Sequence, residues 1–249
     1  MTVKGHACPV CAAEAPLYDV VDFNRSCEEN NGTFLPLAGE PVYYCLCRTC
    51  GYLFAPMFQD WTRERFLERI YNDDYIAVDP DYTEGRPQQN RGDLNKMFGA
   101  HKGRFTHLDF GGGDGHLSRL LRQDGWDSSS WDPFFDPGSS LDGRKFDLIT
   151  AFEVFEHAPD PHAMMRQLTS AAHEGTFIYF STFVHDKAVR LNERINWWYV
   201  GPRNGHVGVF SRHSLGLLGD RFGYRHGSFT DYQHCYCREP PEWAQHLIR

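Results

Sequence analysis

Residues 104–126 read RFTHLDFGGGDGHLSRLLRQDGW, and they decide the fold class of this chain. The apolar run FTHLDF predicts a buried strand, and the glycine cluster after it predicts a tight turn. Leu117, Leu120 and Leu121 then recur at helical spacing, and Gly125 is placed to end the helix. A strand that turns through glycines into a helix is typical of the α/β folds that bind nucleotides at that turn.

The spacing of the glycines indicates which class of ligand the turn suits. Gly111, Gly113 and Gly115 follow Asp109 in the pattern D-x-G-x-G-x-G. No Gly-Lys-Ser/Thr triplet follows, which excludes the P-loop of nucleotide triphosphatases. A dinucleotide fingerprint would need a small residue where His116 stands, because that position packs the helix closely on the strand. The pattern therefore favours a bulky ligand without a phosphate chain, with an uncharged sulfur or a sulfonium, which the loop backbone can approach because glycine has no Cβ.

Two further apolar runs extend the pattern to a parallel sheet. FDLITAF begins at Phe146 and TFIYFST begins at Thr176, and both predict strands. Between them, Asp160 is placed to cap a helix, Pro161 fits the first helical position, and Gly175 is placed just beyond the helix end. A strand–helix–strand unit of this size is a parallel crossover, so the sequence predicts an α/β domain.

Asp132 supplies the second acidic group expected of such a site. It ends the strand predicted within WDSSSWDPFF, where its carboxylate can accept hydrogen bonds from both hydroxyls of a ribose.

With these features together, the run from Leu108 to Phe183 resembles the class I S-adenosylmethionine-dependent methyltransferases. LDFGGGDG is similar to their first motif, Asp132 to their ribose-binding acid, and FDLITAFEVFEHAPDP to a later motif, above all in the ubiquinone-biosynthesis type. The resemblance implies a Rossmann-like, doubly wound sheet of the seven-stranded type. Only the interval 133–145 lies between Asp132 and the next predicted strand, where this family usually has a helix and a third strand, so we expect the third strand to be truncated. The resemblance also implies S-adenosylmethionine as cofactor. The cofactor-binding residues it predicts are Asp109, Gly111, Gly112, Gly113, Asp132, Phe152 and Glu153.

The phrase FEVFEHAPDP places Glu153, Glu156 and His157 after a predicted strand, at the edge where α/β folds bind ligands. Methyl transfer from a sulfonium needs an aligned acceptor and, for a hydroxyl or acidic carbon, a group that removes a proton, which a histidine can do. E-x-x-E-H also resembles the metal-binding motif of ubiquinone O-methyltransferases and of small-RNA 2′-O-methyltransferases, with His206 matching a further histidine of the latter. Glu156, His157 and His206 are therefore the predicted catalytic residues. A divalent-metal site and a structural role in the pocket wall are the alternatives.

The cysteines near the N-terminus predict a metal site. CPVC at Cys8 and Cys11 pairs with CRTC at Cys47 and Cys50, and two such knuckles can enclose Zn²⁺ in a closed structural site. Cys45 is the alternative to Cys47, and buried thiols or a redox pair are the alternatives to zinc. The arrangement resembles the sugar C-methyltransferases, in which a zinc-binding module precedes the methyltransferase domain.

The predicted organisation has three parts. A zinc-ribbon-like module covers 1–58, a helical linker covers 59–95, and the methyltransferase domain covers 96–249. We expect methyl transfer to an oxygen or carbon of a small molecule, such as a sugar or a secondary-metabolite intermediate. The alternatives are an RNA 2′-O-methyltransferase that uses a divalent metal, and a zinc-ribbon interaction protein with an inactive cofactor fold.

The composition narrows the class of partner. The formal net charge of −8 argues against a nucleic-acid partner. No apolar run is long enough to cross a bilayer, and the first residues lack the basic and apolar blocks of a secretory leader. We therefore expect a cytoplasmic protein without a membrane partner, and the sequence makes no prediction about its oligomeric state.

Overall fold

The structure is a computed structural model, and it describes residues 5–136, 138 and 140–247. The strands are β1 His6–Ala7, β2 Glu14–Ala15, β3 Leu17–Asp22, β4 Pro41–Leu46, β5 Leu53–Phe54, β6 Thr106–Phe110, β7 Asp127–Trp131, β8 Phe146–Phe152, β9 Ala172–Ser181, β10 Gly208–Val209, β11 Arg225–Ser228 and β12 Gln233–Cys237. The α-helices are α1 Arg63–Arg69, α2 Gly85–Phe98, α3 His116–Gln123, α4 Pro161–Ser170 and α5 Arg212–Arg221.

The chain divides into two compact units, each built from more than one segment. Unit 1 contains the described residues of 1–80, 155–162 and 182–218, and unit 2 contains those of 81–154, 163–181 and 219–249. Unit 1 is interrupted in sequence because β10 pairs with β5, which brings a strand from beyond residue 200 into the N-terminal sheet. The predicted boundaries 1–58, 59–95 and 96–249 stay a prediction about domains.

Unit 1 carries a two-stranded sheet, β1–β2, and a four-stranded antiparallel sheet in the order β10-β5-β4-β3. Alternation along β4 explains its place inside the sheet: Val42 and Tyr44 are buried, whereas Tyr43 is half exposed. Such alternation is what a strand with one core-facing side requires. Aromatic contacts extend this core, since Tyr52 stacks on Phe54 at 5.6 Å between ring centroids.

Unit 2 carries the α/β sheet that the sequence predicts, in the order β11-β12-β9-β8-β6-β7. The four strands from β9 to β7 are parallel, and β12 and β11 add to them in antiparallel fashion. Among the described residues of 132–145 none is in a strand or an α-helix, so the third strand is truncated as expected. The predicted Rossmann-like fold class is confirmed.

One local prediction is wrong. The crossover helix α4 begins at Pro161, as predicted, and the Asp160 carboxylate accepts a hydrogen bond from the His162 amide at 2.9 Å. It ends at Ser170, however, and Gly175 lies inside β9 rather than after the helix. Only Ala171, which is fully buried, separates the helix from the strand.

The core of unit 2 places the sheet edge that concerns function. Phe98 of α2 is fully buried and packs edge-to-face on Phe177, Tyr179 and Trp243. The predicted apolar face of α3, formed by Leu117, Leu120 and Leu121, is buried as expected. Within the part of the chain that the structure describes, no helix combines the length and the apolar character needed to span a membrane.

Candidate functional site

The carboxyl ends of β6, β7 and β8 are neighbours in the sheet of unit 2, and they carry all seven predicted cofactor-binding residues. Asp109 lies near the end of β6, Asp132 follows β7 directly, and Phe152 and Glu153 stand at the end of β8. The carboxyl edge of a parallel sheet is where α/β folds bind their ligands. The structure thus brings these residues to one edge.

The glycines after β6 are required by close contacts. At Gly111, φ is +75°, and an added Cβ would lie 2.5 Å from Cγ2 of Val154. At Gly112, an added Cβ would collide with the Asp109 carboxylate and with the Ser130 hydroxyl. A side chain at either position would therefore displace the loop from the sheet, which explains the glycine run physically.

Asp132 organises this loop. Its Oδ2 accepts a hydrogen bond from the Gly113 amide at 3.0 Å, and its Oδ1 accepts from the amides of Phe134 at 2.7 Å and Phe135 at 3.2 Å. An ionised carboxylate offers about four acceptor positions, so these three bonds leave about one for a ligand hydroxyl. Contact with both hydroxyls of a ribose would require one backbone amide to give way.

Asp109 is the buried acid of the site, with 3 % of its surface exposed. Burial raises the pKa of Asp109 to about 7, a hydrogen bond from Thr150 opposes that rise, and the negative charges of Asp132 and Asp114 add to it. A carboxylate poised near neutral pH is a feature of functional sites, because it can respond to the charge of a ligand.

Glu153 is held in an uncommon backbone conformation. Its φ is +54°, and its amide donates hydrogen bonds to the carbonyl oxygen of Ser181 at 3.2 Å and to the Ser181 hydroxyl at 3.1 Å. Phe152, beside it, packs edge-to-face on Tyr179 at 5.8 Å. A residue other than glycine in this left-handed region is strained, and such strain persists where neighbouring contacts impose it.

The three predicted catalytic residues lie together in unit 1. Ligand-type atoms of Glu156, His157 and His206 all lie within 4.8 Å of one another, and the two imidazole rings are 5.0 Å apart. Glu156 is fully buried, and Tyr199 donates a hydrogen bond to its Oε1. Neither Tyr199 nor Tyr71, which contacts His157 Nδ1 at 3.1 Å, is among the predicted site residues. Tyr199 follows two tryptophans, a position where an aromatic residue usually packs in the core, and Tyr71 follows the end of α1 without a pattern that indicates a site.

The hydrogen bonds of the two histidines fix their tautomers. His157 Nδ1 lies 3.0 Å from the Gly205 carbonyl oxygen, and His206 Nδ1 lies 2.7 Å from the Tyr199 carbonyl oxygen. A carbonyl oxygen can only accept, so both Nδ1 atoms donate and the lone pair of each neutral ring is on Nε2. The cluster can therefore take up a proton, and a carboxylate with two imidazoles could also hold a divalent transition metal.

The four predicted metal ligands also lie together in unit 1. Cys8 Sγ is 3.5 Å from Cys50 Sγ, Cys11 Sγ is 3.4 Å from Cys47 Sγ, and the whole set falls within 4.8 Å. Sulfurs on a tetrahedral zinc at about 2.3 Å are about 3.8 Å apart, so the arrangement fits the ion. The alternative ligand Cys45 is not in this set of described residues.

Each of the two knuckles forms the same kind of backbone turn. The Ala12 amide donates to the Cys8 carbonyl oxygen at 2.9 Å, and the Gly51 amide donates to that of Cys47 at 2.8 Å. Both residues have positive φ, +62° and +77°. Glycine adopts a positive φ easily, so Gly51 suits this conformation. Ala12 adopts it although it is not a glycine, and no sequence pattern predicts that.

The short distances between the thiols shift their pKa values. The Cys50 thiol hydrogen-bonds to Cys8 and lowers the pKa of Cys8 to about 5, and the same contact raises the pKa of Cys50. By contrast, burial raises the pKa of Cys45 to about 11 and that of Cys235 to about 12. The latter two thiols are therefore neutral near pH 7 and pack as small apolar groups.

The comparisons with known proteins agree with the architecture. Residues 82–226 match the model of a family described as "Methyltransferase domain". A solved structure, "Structure of the plantazolicin methyltransferase BpumL in complex with SAH", superposes with a TM-score of 0.50 at 11% identity, covering 72% of this chain and 95% of that one. At that identity the likeness shows the fold alone.

One curated relative matches a short stretch of the sequence. The ubiquinone biosynthesis O-methyltransferase of Idiomarina loihiensis is 33% identical over 73 residues, which is 29% of this chain and 24% of that protein. The chain thus spans about a quarter of the relative that it matches.

Proposed function

Because this chain belongs to the methyltransferase-domain family, which its residues 82–226 match, we propose that it transfers the methyl group of S-adenosylmethionine to an oxygen or carbon of a small molecule. The observation that carries the proposal is the conjunction of Asp109, the loop Gly111–Gly113 and Asp132 at one sheet edge of a chain of this family. The acceptor class rests on a net charge of −8, which disfavours nucleic acid.

The polar groups at this sheet edge suit S-adenosylmethionine. Asp132 offers a carboxylate to ribose hydroxyls, and Asp109 offers a second negative charge to the cationic part of the molecule. The glycines carry no Cβ, so the backbone of the loop leaves room for a ligand to approach closely. Bound there, S-adenosylmethionine supplies a methyl group on a positively charged sulfur.

The cluster in unit 1 would manage the proton of the acceptor. His157 and His206 each carry a lone pair on Nε2, because their Nδ1 atoms donate to backbone carbonyl oxygens. Glu156, buried and bonded by Tyr199, lies beside both rings, with a carboxylate oxygen within 4.8 Å of an imidazole nitrogen of each. We assign proton removal from the acceptor hydroxyl or carbon to this histidine pair.

We further propose that Cys8, Cys11, Cys47 and Cys50 hold a structural zinc ion. Their sulfur spacing and the paired knuckle turns support it. A four-thiolate site leaves no open position for a substrate, so the ion would order the N-terminal segment rather than take part in transfer.

The test is a transfer assay with S-adenosylmethionine radiolabelled on its methyl group and a fractionated pool of hydroxylated small molecules. We expect label in a small-molecule fraction. His157→Gln and His206→Gln should lower the transfer rate by about 100-fold, the usual size of a general-base effect, without changing cofactor affinity. The control is His213→Gln, since His213 is exposed on α5 and should not matter.

Two results would contradict the proposal in different ways. If the cofactor binds but no fraction takes up label, the chain would be a cofactor-binding module rather than an enzyme. Histidine variants that transfer as fast as the His213 control would remove the proton-accepting role from this cluster.

A further inference from the structure

A buried row of polar side chains crosses β7, β6 and β8, the three strands whose carboxyl ends carry the candidate cofactor site. His107 Nε2 lies 2.9 Å from Thr150 Oγ1, and Thr150 Oγ1 donates to Asp109 Oδ1 at 3.3 Å. On the other side of the ring, His107 Nδ1 lies 2.8 Å from Ser128 Oγ. His107 and Thr150 are fully buried, so water does not compete for these bonds.

The register of the sheet builds this row. His107 and Asp109 are two residues apart on β6 and therefore point to the same face. On that face, His107 pairs with Ser128 of β7, and Asp109 pairs with Thr150 of β8. A histidine in the middle of a central parallel strand loses hydration, which is costly unless both ring nitrogens are hydrogen-bonded. Here both are.

Next to the Asp109 carboxylate, the hydrogen bonds of this row have a fixed order of donors and acceptors. When Asp109 is ionised it can only accept, so the single proton of the Thr150 hydroxyl points at it. The Thr150 oxygen is then an acceptor, and His107 must donate to it from Nε2. Burial lowers the pKa of His107 to about 3, so the ring stays neutral and its Nδ1 is an acceptor. Ser128 Oγ also lies 3.0 Å from Ser118 Oγ, and the single Ser128 proton can serve only one of these two contacts. With the His107 proton on Nε2, the Ser128 proton is directed to Nδ1.

We propose that His107 is a positioning residue for the cofactor site: its Nε2–H orients the Thr150 hydroxyl, which holds the Asp109 carboxylate ionised and aimed at the loop. The inference rests on the proposed function in that Asp109 is taken to face the cofactor. Neither His107 nor Thr150 touches the ligand in this account; both act through Asp109.

The Thr150 bond matters because the surroundings of Asp109 otherwise disfavour its charge. Burial and the charges of Asp132 and Asp114 raise its pKa, and the hydrogen bond from Thr150 lowers it. Arg119 is engaged by Asp114, and Arg122 donates to Ser118. The charged and titratable groups on these strand ends, in the loop and on α3 include His107 on β6, Asp114 in the loop, Asp132 after β7, Glu153 after β8, and His116, Arg119 and Arg122 on α3.

The experiment combines calorimetry and nitrogen NMR on the full chain. Thr150→Val removes the hydroxyl at nearly constant shape, and Thr150→Ser keeps it as the matched control. Calorimetric titration with S-adenosylmethionine between pH 6 and pH 9 should show affinity that rises through about pH 7 in the wild type. Thr150→Val should bind about tenfold more weakly at pH 7 and shift that rise upward by about one pH unit, whereas Thr150→Ser should match the wild type.

The NMR measurement reports the tautomer without any cofactor. In protein labelled with ¹⁵N-histidine, the His107 signals are assigned by their loss in His107→Gln. At pH 8.5 we expect a neutral ring with its proton on Nε2. Because this readout needs no Thr150 variant, it decides the question even if Thr150→Val fails to fold.

Each outcome is decisive. A proton on Nδ1 at pH 8.5, or a Thr150→Val pH profile equal to that of the wild type, would reduce the row to a packing role. Absence of S-adenosylmethionine binding by the wild type would instead defeat the proposed function, while the tautomer would still test the row itself.

Discussion

The side chain of Asp132 accepts a hydrogen bond from the backbone amide of Gly113 at 3.0 Å. The acid that follows β7 thus holds the loop that follows β6, and the two ends of neighbouring strands form one structure. The loop and the acid are therefore not independent ligands of a cofactor. A change at Asp132 should alter the loop as well as the carboxylate.

The close packing at Gly112 leads to a first prediction. Gly112→Ala should weaken cofactor binding by at least about tenfold and destabilise the fold by about 1–3 kcal/mol, because its Cβ would collide with Asp109 and Ser130. Gly92→Ala is the control, since Gly92 lies in α2 with open space around it and the change should stabilise the helix by up to about 1 kcal/mol. Chemical unfolding and calorimetric titration measure both. Equal behaviour of the two variants would mean that the loop is not packed as described.

The cysteine cluster leads to a second prediction, about metal content. Wild-type protein should contain one zinc per chain by elemental analysis, and Cys47→Ser should lose it, because a three-thiolate site binds the ion less tightly. Cys45→Ser should keep it, since Cys45 lies outside the set. Zinc lost from Cys45→Ser and kept in Cys47→Ser would reverse the ligand assignment.

The raised pKa of Asp109 predicts a pH dependence of stability. Its folded pKa of about 7 lies above its ordinary value of 3.8, so protonation favours the folded state, and this contribution is lost as pH rises towards and through 7. Asp109→Asn removes the effect. Between pH 5.5 and pH 8, the unfolding free energy of the wild type should therefore fall by about 2 kcal/mol relative to the variant. Urea unfolding at several pH values checks this, and a constant difference would show that Asp109 titrates normally.

A fourth prediction concerns the buried pair Tyr199 and Glu156. Tyr199→Phe deletes the hydroxyl that donates to the fully buried Glu156, so the free energy of unfolding should fall by about 1–3 kcal/mol. Tyr43→Phe is the matched control, because Tyr43 is half exposed on β4 and should change stability little. If the two variants unfold alike, the Tyr199 hydroxyl does not support Glu156.

The features that the sequence predicts are those whose physics is local. The glycine loop, the helix with Leu117 and Leu121, and the two cysteine knuckles each follow from residues a few positions apart. Pairing between strands that are far apart in the sequence cannot be predicted in this way. No local pattern connects β10 with β5, so a prediction made of contiguous domains does not contain that pairing.

The candidate site shows the same division. The acids Asp109 and Asp132 could be predicted because they stand at the ends of predicted strands, whereas the row through His107 and Thr150 depends on the register between strands. The signal in the sequence is a histidine and an aspartate alternating within one buried strand. Tyr199 was not among the predicted site residues for another reason. A buried aromatic residue in an aromatic stretch usually packs in the core.

The most direct test of the central claim is calorimetric titration of the wild type with S-adenosylmethionine and, separately, with NAD. Asp132→Asn is measured beside it, with Asp127→Asn as control because Asp127 is exposed at the opposite end of β7. We predict binding of S-adenosylmethionine alone, weakened at least about tenfold in Asp132→Asn and unchanged in Asp127→Asn. Binding of NAD, or equal affinity in both variants, would contradict the assignment of this sheet edge to S-adenosylmethionine.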